Sequence, residues 1–278
     1  MAGRLAGKVA IITGSGSGIG RATAHCMASE GATVIINDVN LPNARAVANE
    51  IKARKGKALA IKADVTRPAQ VKRMIDRVLK RFGKIDILMN NAGTGGNTAS
   101  TKSKLGPPLT NIDDADWDFT FDVNVKGIFI MCKAVMDHMK SRKYGRIINT
   151  SSVAGKRPSV LIPAYSASKA AVINFTQELS QELAPLGITV NAICPGIIWT
   201  PMWQEFARRQ TEQNPRLKGM EPKAAFDAIV TMAAGGVAKA EQQPEDIGWL
   251  AVFLASDEAK RISGEAISVE GPTPLAEK

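Results

Sequence analysis

The chain has 278 residues, of which 45% are hydrophobic and 5% aromatic, and a formal net charge of +10. That length and apolar content suit one large α/β domain, while the apolar runs, such as Val9 to Ile12 and Ile85 to Met89, are too short to span a membrane. The basic residues are spread along polar faces (Lys52, Arg54, Lys55, Lys57, then Arg67, Lys72, Arg73, Arg77) with no aromatic platforms between them, which argues against nucleic acid.

The pattern alternates strand and helix along the chain. Lys8 to Thr13 reads as a strand, and Ile19 to Glu30 as a helix ended by Gly31. Ala32 to Asn37 is a second strand, Pro42 to Lys55 a helix, Ala58 to Ala63 a third strand, and Pro68 to Phe82 a helix closed by Gly83. Ile85 to Asn90 is a fourth strand, and Asp113 to Lys140 one long helix with acids at its positive end. Gly145 to Thr150, Ile188 to Ile193 and Ala266 to Val269 are further strands, with helices over Pro163 to Ala184 and Pro244 to Ala255. Repeated β-α-β units with right-handed crossovers build a doubly wound, parallel, seven-stranded sheet of Rossmann type with helices on both faces. We read residues 1–278 as one such domain. Two stretches break the rhythm: Gly95 to Thr110, a polar surface loop, and Ile197 to Lys239, one or two helices forming a substrate lid.

Cys26, Cys132 and Cys194, and the two histidines His25 and His138, show no metal-ligand spacing, so no metal is expected. The opening Met1-Ala2-Gly3-Arg4-Leu5 leads into a strand and not into a signal-peptide core, so a cytoplasmic protein is expected.

Strand one runs into Thr13-Gly14-Ser15-Gly16-Ser17-Gly18-Ile19-Gly20 and then a helix. Such a turn brings the backbone close to a pyrophosphate, and the helix N-terminus offers free N–H groups and a positive dipole. The spacing is Gly14-x-x-x-Gly18-x-Gly20, because position 19 is Ile19 and not glycine. Asp38 ends the second strand, where a carboxylate accepts from ribose hydroxyls and repels a 2′-phosphate. With Val39 and Ser17 uncharged, this predicts NAD over NADP. A turn-forming Asp before Asn40 and Pro42 is the plainer alternative.

Tyr165 and Lys169 share a helix face at i, i+4, with Ser152 just upstream. A fixed positive charge lowers a phenol's pKa and lets it move a proton to or from an alcohol oxygen.

Together, Thr13-Gly14-x-x-x-Gly18-x-Gly20, Asp64, Asn90-Asn91-Ala92-Gly93, Asn124, Ser152, Tyr165-x-x-x-Lys169 and Pro195-Gly196-x-x-x-Thr200 resemble the single-domain short-chain dehydrogenase/reductase family over residues 5 to 272. The resemblance implies that Asp64 and Val65 edge an adenine pocket, with Asn91, Ala92 and Gly93 beside the cofactor and Asn90 bracing the sheet. It implies that Asn124 anchors a water near Lys169, that Lys169 also bonds the nicotinamide ribose, and that Pro195, Gly196, Ile198 and Thr200 hold the carboxamide end. Plainer roles exist: Asn124 could bond helix neighbours, and Thr200 could cap the helix at Pro201. The expected Gly-Gly after the last strand is Gly271-Pro272.

The expected activity is NAD-dependent interconversion of a secondary alcohol and a ketone, with Tyr165 as general acid/base and Ser152 holding the substrate oxygen. A 3-oxoacyl-thioester (carrier-protein or CoA) reductase and a non-catalytic dinucleotide-binding protein are the alternatives. Val153, Ala154, Ile162, Trp199, Met202 and Trp203 are expected to line a partly apolar substrate site, and Lys156 and Arg157 to meet an anionic group or solvent. The partner is a small alcohol or ketone, with no nucleic acid and no membrane. A homotetramer or homodimer is expected by family analogy, packed through the two long helices.

Overall fold

The computed structural model describes residues 3–96, 109–157, 162–233 and 242–270. The strands are β1 (Val9–Thr13), β2 (Thr33–Asp38), β3 (Lys57–Lys62), β4 (Ile87–Asn90), β5 (Gly145–Thr150), β6 (Ile188–Pro195) and β7 (Ala266–Val269). They form one seven-stranded sheet in the order β3-β2-β1-β4-β5-β6-β7. Every neighbouring pair is parallel. The strand order reverses between β1 and β4, and the crevice above the carboxyl ends of these strands is where a doubly wound sheet binds its ligand.

The helices are α1 (Gly18–Ser29), α2 (Leu41–Ala53), α3 (Pro68–Phe82), α4 (Asp114–Phe121), α5 (Gly127–Arg142), α6 (Pro163–Leu183), α7 (Pro201–Gln213), α8 (Pro222–Ala233) and α9 (Pro244–Ala255). Their ends follow local chemistry. Asn40 caps α2 by accepting from the Asn43 N–H at 3.1 Å, and Asp113 caps α4 through Ala115 at 3.0 Å. Proline, which needs no N–H donor there, opens α3, α6, α7, α8 and α9. Gly83 closes α3 in the left-handed region, at φ 73°.

Side chains alternate across the strands and feed two cores. Ile12 and Ile36 pack with Met27, Val47, Ile51 and Leu254 from α1, α2 and α9. Ile11, Ile35 and Leu88 pack on the other face with Met74, Val135 and Val172 from α3, α5 and α6. A small third cluster (Leu217, Ala225 and Ile229, with Trp203 and Phe206 against it) joins α7 to α8 over the carboxyl edge of the sheet.

The structure departs from the sequence reading in places. The long helix is interrupted by a π-helical turn at Asp122–Lys126, which separates α4 from α5. β4 starts at Ile87, and the buried Asp86 just before it accepts from the Val9 N–H at 2.9 Å and pairs with Lys84 at 3.1 Å and Arg142 at 2.8 Å. β6 runs on to Pro195. Most of the 95–110 loop, the end of the 197–239 lid and Gly271-Pro272 lie outside the described residues.

Candidate active site

A cavity of about 1270 Å³ lies on the carboxyl edge of the sheet. It is lined from one end by Gly14, Ser17, Gly18, Ile19, Asp38, Asp64 and Val65, and toward the other by Asn91, Ala92, Gly93, Ser152, Tyr165 and Lys169, under a rim of Pro195, Gly196, Ile198 and Thr200. Two predicted site residues, Gly20 and Asn124, are not part of its wall and act from behind it.

The glycine turn is shaped by close approach. Gly14 sits at φ 60°, and a Cβ there would come within 2.8 Å of the Ala92 Cα. A Cβ on Gly20 would meet the Asn91 Nδ2 and the Gly14 carbonyl oxygen, each at 2.5 Å, so glycine lets α1 press against the turn. The Asn91 amide donates to the carbonyls of Thr13 (3.0 Å) and Gly14 (3.1 Å), fixing the turn to the end of β4. Ser17, at the N-terminus of α1, makes no side-chain cap bond, so the first N–H groups of the helix face the cavity without an internal acceptor from it. The features fit the diphosphate of a dinucleotide.

Asp38 is held rigidly at the far end. Its Oδ2 accepts from the Gly16 N–H and its Oδ1 from the Asn40 N–H, both at 2.9 Å. Asn37, Val39 and Thr66 line the cavity around Asp38 and Asp64; Arg67 stands 3.9 Å from Asp64, and Lys62 lies opposite Asp38 in the β2–β3 register, but neither is part of the lining. Asp64 shapes its own loop, accepting from the Thr66 N–H (2.9 Å) and hydroxyl (2.8 Å).

At the other end α6 presents Tyr165 and Lys169 to one side. The Ser152 hydroxyl faces the Tyr165 phenol, where it favours the phenolate, and accepts from the Ala154 N–H at 3.1 Å. The Lys169 Nζ lies 5.5 Å from the centre of the Tyr165 ring and donates to the Thr150 carbonyl at 2.8 Å. The Ser151 hydroxyl donates to the Lys169 carbonyl at 2.7 Å, which ties α6 to the end of β5. Lys169 is 3% exposed, and burial pulls its pKa from the ordinary 10.5 to about 8.

The expectation of a phenol already tuned downward needs correcting. Burial pushes the Tyr165 pKa up, the Ser152 hydroxyl pulls it down, and burial wins. The lysine is near, but its charge is itself depressed by the same dry surroundings.

A family model described as "short chain dehydrogenase" matches residues 8–211. The chain belongs to the short chain dehydrogenase family. It is 36% identical over 268 residues to the (2S)-[(R)-hydroxy(phenyl)methyl]succinyl-CoA dehydrogenase subunit BbsD of Thauera aromatica, covering 96% of this chain and 97% of that one. It is 37% identical to the 3-oxoacyl-[acyl-carrier-protein] reductase FabG of Thermotoga maritima, covering 96% and 98%. Among solved structures, an NAD+-bound xylitol dehydrogenase matches with TM-score 0.85 at 31% identity over 96% of this chain and 99% of that one. An actinorhodin polyketide ketoreductase with NADPH matches with TM-score 0.85 at 30% identity over 98% of each. The chain is thus an oxidoreductase of a family acting on CH–OH or keto groups, with a nicotinamide dinucleotide as the family's cofactor.

In this short chain dehydrogenase, Asn124 occupies the π turn and is fully buried. Its Oδ1 accepts from the Thr94 N–H at 2.8 Å, and its Nδ2 donates to the Thr94 carbonyl (2.9 Å) and the Ser168 hydroxyl (3.0 Å). The bonds go to the loop after β4 and to α6, not to neighbours on its own helix. A Cβ on Gly93 would lie 3.2 Å from the Asn124 Oδ1 and 3.5 Å from the Lys169 Nζ, so the two groups flank one spot. Thr200 precedes α7 without a side-chain cap bond, which removes capping as its role. Its Cβ faces Gly18 across the cavity, 3.4 Å from where a Cβ would stand there. Asn90 does brace the sheet, donating to the Asn149 side chain on β5 at 2.9 Å.

Among the expected substrate-site residues, Val153, Ala154, Ile162, Met202 and Trp203 line the cavity, but Trp199 does not. Trp199 instead packs edge-on against Phe226 of α8, with ring centroids 4.8 Å apart. Lys156 reaches β7, donating to the Ala266 carbonyl and the Ser268 hydroxyl. Arg157 lines the cavity paired with Glu270. Sequence reasoning missed Phe206 and Arg209, which also line it from α7; the periodicity of that helix was the signal available.

Proposed function

We propose that the chain interconverts a secondary alcohol and a ketone using NAD, with Tyr165 moving the proton. The observation that carries this reading is the meeting of Ser152, Tyr165 and buried Lys169, its Nζ 5.5 Å from the Tyr165 ring, in the wall of a cavity that continues to Asp38. The dinucleotide, when bound, supplies the hydride acceptor or donor. The turn from Gly14 to Gly18 would hold its diphosphate, Asp38 its adenosine ribose, and Lys169 its second ribose. Ser152 orients the substrate oxygen, and Tyr165 takes its proton during oxidation or returns one during reduction. The phenol starts with a raised pKa, so it is well supplied with the proton that ketone reduction requires; oxidation needs added positive charge beside it.

The test is Tyr165→Phe. Turnover should fall at least about 100-fold, the size of a general acid/base contribution, while NADH binding by fluorescence titration stays near wild type. A variant with near-normal turnover rejects the assignment.

The preference for NAD rests on Asp38 and on a cavity lining that holds Val39 and Ser17 and neither Lys62 nor Arg67. Rates with NADH should exceed those with NADPH, and Asp38→Ala should narrow the gap. The thioester-reductase reading draws on relatives named for CoA and carrier-protein substrates, and on the ketoreductase solved with NADPH. A wild-type enzyme that favours NADPH and acyl thioesters would select it. The non-catalytic reading is disfavoured by a complete set of Ser152, Tyr165, Lys169 and Asn124. We further propose a homotetramer or homodimer packed through α5 and α6, where exposed Phe129 meets Phe175 edge-on at 6.5 Å. A monomer by light scattering removes that proposal.

A further inference from the structure

α7 buries Ala207 and half-buries Trp203 and Phe206 as a surface helix should, but it also buries Arg209 and Gln210. Met202 is 40% exposed, whereas Arg209 is 9% exposed and faces the cavity. A buried arginine is the informative exception on a helix that otherwise covers a binding site. Met202, Phe206 and Arg209 recur at i, i+4 and i+7, so they form one stripe along the cavity wall. The stripe begins beside Thr200, which faces Gly18 of the glycine turn. It ends at Arg209, roughly 10 Å along the helix axis from Met202 at 1.5 Å per residue.

Neighbouring charges bear on what Arg209 can do. Glu205 and Glu212 both pair with Arg208, Glu205 at 2.8 Å. Arg157 pairs with Glu270. Glu205 and Arg208 line the same cavity wall as Arg209, and the field of Arg209 acts on Glu205 after that of Arg208. A guanidinium presents five N–H donors in a planar fork, enough to keep a protein partner and grip a planar anion as well.

We propose that the substrate is amphiphilic, an apolar body bearing a carboxylate, and that Arg209 binds this carboxylate while Met202, Phe206 and Trp203 cover the body. The proposal deepens the alcohol–ketone reading and rests on it. Arg209 is a specificity-determining residue: it selects which alcohol is presented to Tyr165 and does not take part in the proton transfer.

The experiment compares hydroxy acids, graded in the number of carbons between carbinol and carboxylate, with the methyl ester of each. In the wild type at least one acid should exceed its ester about tenfold or more in kcat/KM. Arg209→Gln should erase that difference chiefly through KM, leaving the ester rates and NADH affinity unchanged. Arg209→Lys should restore part of it. A wild type that prefers the esters, or a variant that loses acid and ester rates alike, overturns the proposal; the second outcome is what a purely structural Arg209 predicts. A further arm pairs acyl-CoA esters with neutral short thioesters. A preference for CoA that survives Arg209→Gln places the recognised anion on the carrier and also overturns the proposal. Binding of the acids to the NADH-loaded protein, read by isothermal titration calorimetry, reports on Arg209 without turnover. Acid binding that is weakened by Arg209→Gln in a protein with no dehydrogenase activity upholds the anion site and rejects the alcohol–ketone reading alone.

Discussion

Lys169 is held in the folded protein at a pKa of about 8 with no carboxylate beside it, only the Thr150 carbonyl. The unfolded chain keeps that proton up to about 10.5. Between these values the folded state binds fewer protons, so this group's contribution to stability rises with pH across the window. Below about pH 8 both states are protonated, and the cost of burying the ammonium is fully present. Urea unfolding at pH 7, 8.5 and 10 should therefore show wild type gaining on Lys169→Met as pH increases; parallel curves would refute it. Thr200 is testable at the same scale. Its hydroxyl makes no cap bond, so Thr200→Val should leave stability within about 0.5 kcal/mol. It should raise KM for NADH about tenfold, one lost hydrogen bond. That Ser152, Tyr165, Lys169 and Thr200 would gather in one cavity was legible in the chain, because each belongs to a short motif set by local chemistry. Arg209 was not, because nothing local distinguishes it from Arg208. Both line the cavity, and only the docking of α7 over the sheet buries Arg209 while leaving Arg208 half-exposed and paired with Glu205 and Glu212.

The π turn of Asp122–Lys126 shows how an element carries function. One extra residue in the ladder is a known device for redirecting a side chain at a working site. Here it marks the place where Asn124 fastens the loop after β4 to α6 through Thr94 and Ser168. Asn124→Ala leaves those buried groups short of partners and should cost about 2 kcal/mol or more. It should also lower kcat by loosening Lys169, measured as urea stability alongside steady-state rates; a stable variant with normal kcat would contradict this. The sequence predicted one continuous helix, because the apolar spacing across the break still fits a helix. By contrast α3, β5, α9 and β7 fall where proline, glycine and polar residues punctuate the chain. Trp199 was assigned to the wrong wall for a similar reason. A single position before a helix does not say which neighbour, here Phe226, will claim the ring.

Across the whole molecule, the site rests on a chain of buried amides and hydroxyls that ties the sheet to a helix. Asn90 donates to Asn149, and Asn149 donates to the Thr176 hydroxyl at 2.9 Å, linking β4, β5 and α6 beneath the cavity. At the opposite edge Asp86 is 1% exposed, and its pKa is held below the usual carboxylate range by Arg142, the Val9 N–H and Lys84 against its burial. Its stabilisation is present above the ordinary value near 4 and fades as pH falls through the lowered one. Asp86→Asn should cost about 3 kcal/mol in urea unfolding at pH 7 without altering kcat, since it sits at the amino edge of the strands; an unchanged midpoint would exclude this role. The parallel order was readable from the β-α-β alternation. Which buried polar residues would find each other across strands was not, because that follows from register.

Thr13 ends β1 at the point where the strand order turns back, and its hydroxyl accepts from the Asn91 and Ala92 N–H groups at 2.9 and 3.0 Å. One oxygen thus stitches the two halves of the sheet together just where a long ligand would act as a wedge. Replacing it with the methyl of Thr13→Val would unpick that seam, and the grip on the dinucleotide would slacken although the residue need never touch it.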